Sequence, residues 1–304
     1  MTSTPRRFLI GAALALTLLV APVSAGQRED ARAGVARALA ALERDDPRTA
    51  RVELMNAIKA DPASREARIV QARVLLMLGN GRGAQDELDR AKQLGAPLGP
   101  MRHLLAHAAL MNGDPEQAIA EASAADADEK ELLFRTRIEA QAYQAMGRYT
   151  EAASAFDRAG AIDSKDSALW ADIARYNVAV GNMAAALAAA DKALALAPTS
   201  VDALTLKAVL ARDQFGLAES TRWFEAALKR NPDYVPAITE YAATLVDLGQ
   251  ASKALALTRR ALALAPGLPR GYFLQALIAA RAENYTLARS LLARTHGALD
   301  GQAA

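Results

Sequence analysis

The sequence predicts an all-α fold built as eight gapless helix–turn–helix units of 34 residues. Three observations predict it. The first is composition: alanine supplies 74 of 304 residues and aromatics only 5%, and Ala, Leu, Glu, Arg and Lys, which lose least on entering a helix, dominate. Few segments alternate apolar and polar residues at period two, so strands have little support. The second is a repeat. KALALAPTS at 192–200 returns as RALALAPGL at 260–268, and that spacing of 68 residues is twice 34. The third is punctuation, since glycine and proline recur at fixed places within the period.

Advancing by 34 from Ala31 gives units 31–64, 65–98, 99–132, 133–166, 167–200, 201–234, 235–268 and 269–302, with 303–304 as a tail. The eighth position of each is Ala38, Ala72, Ala106, Ala140, Ala174, Ala208, Ala242 and Ala276. The twentieth is Ala50, Ala84, Ala118, Ala152, Ala186, Ser220, Ala254 and Ala288, and the twenty-seventh Ala57, Ala91, Ala125, Ala159, Ala193, Ala227, Ala261 and Thr295. Alanine fills 22 of these 24 places, far above the quarter that composition alone would give. Small residues there let two helices approach closely, and Leu54, Leu88, Phe156, Phe224 and Leu292 at position 24 fill the holes beside them.

Taken in order, the first unit is weak at its fourth position, Gly34. Its closing turn carries Pro62, a position shared by Pro198, Pro232 and Pro266 between a second helix and the next unit, where no interior N–H is lost. Units two to five and seven place Gly79, Gly113, Gly147, Gly181 and Gly249 at position 15, where the first helix ends and a positive φ is useful. GNGRG at 79–83 is therefore an inter-helix turn; it lacks the Lys-Ser/Thr that a phosphate loop requires. Unit six has Phe215 in the glycine position and Gly216 one place late, which predicts an altered turn. Unit eight has Glu283 there. Its second helix would leave Leu287, Leu291 and Leu292 without a covering helix, a candidate surface for self-association.

The N-terminus differs in kind. MTSTPRR, the apolar run FLIGAALALTLLV and the small residues of APVSA follow the order of a secretory signal peptide over 1–25, with cleavage expected after Ala25 and a short linker at 26–30. The apolar run is short of the roughly 20 residues that span a bilayer, so no stable membrane span is expected after cleavage. The rival reading is an anchor formed by an uncleaved N-terminal helix. Arg6-Arg7 followed by Phe8-Leu9 lacks the intervening residue of a twin-arginine signal, and the export route stays open between that and general secretion. Without residues 1–25 the chain has 34 basic and 34 acidic residues, so no electrostatic case for nucleic acid remains. Cysteine is absent, which removes disulfides, thiolate catalysis, Cys-based metal sites and a lipid-bearing Cys after the signal.

Enzyme motifs are not found. No His-Glu-x-x-His occurs, and the pair Asp45-Asp46 sits in a turn where acids cap helices. His103 and His107 share a helix face and could hold two corners of a metal site, but the third histidine, His296, is five units further on. No metal, no cofactor and no catalytic constellation of nucleophile, base and orienting group is expected.

AYQAMGRYTEAASAFDRA at 142–159 and ALWADIARYNVAVGNMAAALAAADKALALAP at 168–198 resemble the tetratricopeptide repeat (TPR). Trp170, Tyr143, Gly147, Tyr149, Ala152, Phe156 and Ala159 fall on its signature positions, and the likeness covers 31–302. It implies a right-handed superhelical solenoid whose first helices line a concave groove. Carried over column by column, the groove would hold a polar, partly cationic ladder of Arg73, His103, His107, Arg137, Gln141 and Arg175, then acids at Asp172, Asp202, Asp213, Glu240 and Asp247. The resemblance thus implies an extended protein or peptide partner with an acidic feature against the first stretch and a basic one against the second. Ile69, Arg73, Thr205 and Val209 stand in the columns of the chaperone-tail clamp, which disfavours a co-chaperone. The early units also resemble TPR proteins of bacterial exopolysaccharide export and surface-protein sorting, which implies a periplasmic scaffold in envelope assembly. The alternative is a glycan-binding or enzyme-regulating periplasmic subunit. A glycan site would call for groove aromatics, and Phe134 and Phe273 lie far apart.

Overall fold

The computed structural model of the chain describes residues 24–44 and 46–295. Among them every regular element is helical, and the helices fall into two compact units that divide between Pro97 and Leu98.

The first unit is two helical hairpins: α1 (Ala25–Glu43) on α2 (Pro47–Ala60), and α3 (Arg65–Met77) on α4 (Gly81–Gln93). Helix α1 starts ahead of the repeat frame because Ser24 forms a capping box with Gln27: the Ser24 hydroxyl accepts the Gln27 N–H, and the Gln27 side chain accepts the Ser24 N–H. Residues 26–30, expected as a linker, are therefore the first turns of α1. Apart from Ser24 and Ala25, the segment expected as a signal peptide lies outside the described residues, as do His296 and the 303–304 tail. Gly34 serves packing. A Cβ there would stand 3.0 Å from the Ala57 Cβ and 3.3 Å from the Glu53 carbonyl oxygen, so the glycine permits the α1–α2 approach.

The second unit holds six further hairpins: α5 (Arg102–Met111) and α6 (Pro115–Ala122), α7 (Leu132–Ala145) and α8 (Tyr149–Ile162), α9 (Ser167–Ala179) and α10 (Met183–Leu196). These are followed by α11 (Val201–Phe215) and α12 (Leu217–Arg230), α13 (Val235–Asp247) and α14 (Ala251–Leu264), and α15 (Pro269–Arg281) and α16 (Tyr285–Ala293). Each odd-numbered helix packs on its hairpin partner and on the next odd-numbered helix, so α5, α7, α9, α11, α13 and α15 form one layer.

The alanine columns are the core. Every residue at positions 8, 20 and 27 is buried except Ala125, and Leu54, Leu88, Phe156 and Phe224 are buried beside them. The turns repeat with the same economy. After α3, the Gly79 N–H donates to Leu76 and the Asn80 N–H to Leu75, a Schellman motif, and the Asn80 side chain then caps α4. The same pair of bonds closes α5, α7, α9, α13 and α15, with Gly113, Gly147, Gly181 and Gly249 at φ of 71–80°. In the last hairpin Glu283 takes the left-handed conformation at φ 59°. In unit six α11 runs on to Phe215, and Gly216 at φ 96° ends α11 and starts α12 together, so the turn is tighter there, as expected.

Unit three departs from the frame. Helix α6 stops after 8 residues at Ala122, leaving Ala125 exposed in a turn. The Arg135 side chain takes the Ala122 carbonyl, the Ser123 hydroxyl takes that of Ile119, and Arg102 grips Asp126 at 3.0 Å. A Cβ at Gly99 would meet the Asp126 carbonyl oxygen at 2.3 Å, so the loop closes over this glycine.

Candidate partner-binding cleft

A cleft of about 420 Å³ opens in the odd-helix layer of the second unit. Leu110 of α5, Gln141, Gln144 and Ala145 of α7, and Asp172, Arg175 and Ala179 of α9 line it. The spacing explains the wall: residues i, i+3 and i+4 of α7, and i, i+3 and i+7 of α9, each share one face of a helix. Alanine at 145 and 179 keeps the mouth open, and both are exposed.

A network of ion pairs runs beneath and beside the cleft. Arg137 donates to Asp172 Oδ2 from Nε at 2.7 Å and from Nη2 at 2.6 Å, and its Nη1 lies 3.5 Å from Asp166. Arg175 donates from Nη1 to Asp172 Oδ1 at 3.0 Å and from Nη2 to both Asp202 oxygens at 2.5 Å. The Tyr234 hydroxyl donates to Asp202 at 3.2 Å, so the chain of contacts links α7, α9, α11 and the start of α13. Asp172 is 5% exposed. Burial pushes its carboxyl above the usual aspartate range, and Arg137 and Arg175 only partly pull it back. Burial opposes the charge of Arg175, yet Asp202 and Asp172 outweigh it and raise its pKa. Tyr234 is raised by burial first and then by Asp202.

The expected division into a cationic stretch and an acidic one is not what the side chains do. Arg137 and Arg175 are neutralised by Asp172 and Asp202, so cation and acid interleave. The remaining acids are matched likewise. Glu240 lies 3.0 Å from Arg212 and 2.7 Å from Arg270, Asp213 lies 3.1 Å from Arg212, and Asp247 lies 3.1 Å from Arg281. Arg73 is exposed on α3 in the first unit and forms no part of this cleft.

His103 and His107 stand on α5 against the Phe134 ring of α7, with centroids at 5.8 Å and 5.5 Å in edge-on contact. Burial, then the charge of Arg137 and then His103, hold His107 below its ordinary pKa of 6.5. Phe134 is thus engaged within the fold. Among the described residues no group of three His, Cys, Asp or Glu could hold a metal ion. At the end of the second unit Leu287 and Leu292 are exposed and Leu291 is half-buried. Leu292, at 44% exposure, contrasts with its buried counterparts Leu54, Leu88, Phe156 and Phe224.

Leu110, Gln144, Ala145 and Ala179 were missed by the column-by-column reading, which named residues at position 13 only where they are acidic, at Asp213 and Asp247, and none at position 12. Arg212, Arg270 and Arg281 were missed as well, although each stands within a turn of a helix end that meets an acid of the neighbouring hairpin.

Residues 139–201, which hold much of α7, all of α8 to α10 and most of the cleft, match the family model described as Tetratricopeptide repeat. Over that stretch the chain is similar to the tetratricopeptide repeat (TPR). A solved structure of the APC/C hetero-tetramer Cut9-Hcn1 shares the fold at a TM-score of 0.61 and 14% identity. That alignment covers 86% of this chain and 52% of the other, so this chain spans about half of that one's length. PilW, described as a widely conserved type IV pilus biogenesis factor, aligns at a TM-score of 0.45 and 17% identity over 89% of this chain and 94% of its own. MamA aligns at 0.43 and 15% over 54% and 96%. A search of curated protein sequences returns no match. Among the described residues no helix is long and apolar enough to cross a membrane.

Proposed function

We propose that the protein is a non-enzymatic scaffold that is exported and holds an extended segment of a partner polypeptide in the cleft between α5, α7 and α9. The observation that carries this reading is the cleft itself. Seven residues from three successive odd-numbered helices converge on one open concavity, and their positions are fixed by buried alanine columns behind it. A preformed surface of this kind binds without ordering itself first, which is how stacked helical repeats gain affinity. TPR-like sequence over α9 and the second half of α7 supports a protein partner. The charged groups nearby are committed to one another, and no side chain among them is placed as a nucleophile beside a free base.

The setting, envelope assembly or exopolysaccharide export, rests on the N-terminal sequence and on the likeness of the early units to export-system TPR proteins. Fractionation of cells making the full chain tests the export: the mature form is expected in the periplasmic fraction, cleaved after Ala25 and so without the Ser24 cap of α1. The double variant Ala145→Arg, Ala179→Arg tests the cleft. Both sites are exposed, so the fold is expected to persist while the partner recovered by the wild-type chain from envelope extract is lost. Equal recovery by both chains would place binding elsewhere.

A further inference from the structure

We infer that the cleft selects an uncharged, extended polypeptide segment, its main chain held by Gln141 and Gln144 and a small apolar side chain set against Leu110, Ala145 and Ala179. This rests on the reading of the cleft as a polypeptide site and names the chemistry of what enters it.

The argument begins with charge. The Asp172 carboxylate takes two nitrogens of Arg137 and one of Arg175, so a cationic ligand finds it compensated twice over. Arg175 has given Nη1 to Asp172 and Nη2 to both oxygens of Asp202. An incoming carboxylate would find Arg175 already shared between Asp172 and Asp202. Adding a further carboxylate at a guanidinium that is already neutralised and 41% exposed gains close to nothing, because exposed ion pairs contribute little. Neither sign of ligand charge meets an unmet partner.

The amides differ. Among the described residues, the side-chain amides of Gln141 and Gln144 make no hydrogen bond within the chain, and both residues are half-buried on the cleft wall. Each offers a carbonyl acceptor and an NH₂ donor, the complement of the C=O and N–H that an extended main chain presents in alternation. They sit one turn apart on the same face of α7, so they address neighbouring positions of a strand-like ligand. Beside them Leu110, Ala145 and Ala179 form an apolar wall with shallow relief, which leaves space for a small side chain. A volume of about 420 Å³ suits a short segment and not a folded domain.

The test is selection of a random dodecapeptide library displayed on phage, carried out on the wild-type chain and on the Ala145→Arg, Ala179→Arg variant. The expected result is a set of peptides with uncharged centres that bind the wild type at least tenfold better than the variant. Their affinity should change less than about twofold between 50 and 500 mM salt, and Gln141→Ala with Gln144→Ala should weaken them at least fivefold. Enrichment of acidic or basic peptides that still depend on the cleft, with affinity falling steeply in salt, would overturn the inference and leave the polypeptide-site reading standing. Peptides that bind both chains equally, or none at all, would overturn the reading and the inference with it.

Discussion

Removing the Asp172 carboxylate isolates what the ion-pair network contributes. In Asp172→Ala, Arg137 loses its bonds at 2.7 and 2.6 Å and keeps only Asp166 at 3.5 Å, while its side chain stays 14% exposed. Arg175 fares better, since it retains Asp202 and is 41% exposed. Breaking a buried pair by deleting one partner costs about 3–5 kcal/mol, chiefly through the charge left behind. Only one of the two guanidiniums is stranded, so the lower figure, about 3 kcal/mol, is expected. Deleting both ends behaves differently. Arg137→Met with Asp172→Leu leaves no stranded ion, and the desolvation of Asp172, visible in its raised pKa, is no longer paid by the fold. That double variant is expected within about 1 kcal/mol of wild type. Repeat arrays open locally, so native-state hydrogen exchange of the α7 and α9 amides is the assay. The single variant should speed their exchange by about 150-fold, the equivalent of 3 kcal/mol, and the double variant by less than about tenfold. Exchange within threefold of wild type in Asp172→Ala, or a double variant as labile as the single, would refute the reasoning.

Further outcomes follow from other sites. His107 is held below its ordinary pKa of 6.5, so the unfolded chain takes up a proton first as pH falls. Its contribution is present above 6.5 and is lost as pH drops through the folded value; urea midpoints measured from pH 7.5 to 5 should fall more for wild type than for His107→Gln. Glu283→Gly relieves a left-handed φ of 59° in a turn where the other units use glycine, and should stabilise the α15–α16 hairpin by about 1 kcal/mol in the same exchange assay. Phe224 is fully buried and stacked 5.4 Å from Tyr241, so Phe224→Ala should cost about 3–5 kcal/mol, read as accelerated exchange in α12 and α13.

Much of the fold was legible because the repeat writes it in small residues. Ala140, Ala174 and Ala208 could be read as one buried column from spacing alone, and Gly147 and Gly181 as turn residues from the need for positive φ. Ala125 misled for a physical reason. Its column predicts helix, but the end of α6 is decided by Arg135 and Arg102, which lie in neighbouring helices and capture the chain at Ala122 and Asp126. The start of α1 was hidden by the signal-like run before it, although Ser24 and Gln27 form a capping pair at the expected spacing. For the cleft, columns located Gln141, Asp172 and Arg175 but not their state. Arg137 meets an acid 35 residues away, Arg175 one 27 away and Arg212 one 28 away, and such pairing depends on how hairpins stack and which rotamers result. A ladder of free cations and a set of neutralised pairs look alike in one dimension.

Site-specific photo-crosslinking tests the central claim most directly. A benzophenone side chain is placed at Ala145 or Ala179 on the cleft, or at Asp157, exposed on α8, and the chain is irradiated in envelope extract. The account predicts a shared crosslinked polypeptide from Ala145 and Ala179 and none from Asp157. The same product from all three positions, or from Asp157 alone, would contradict it.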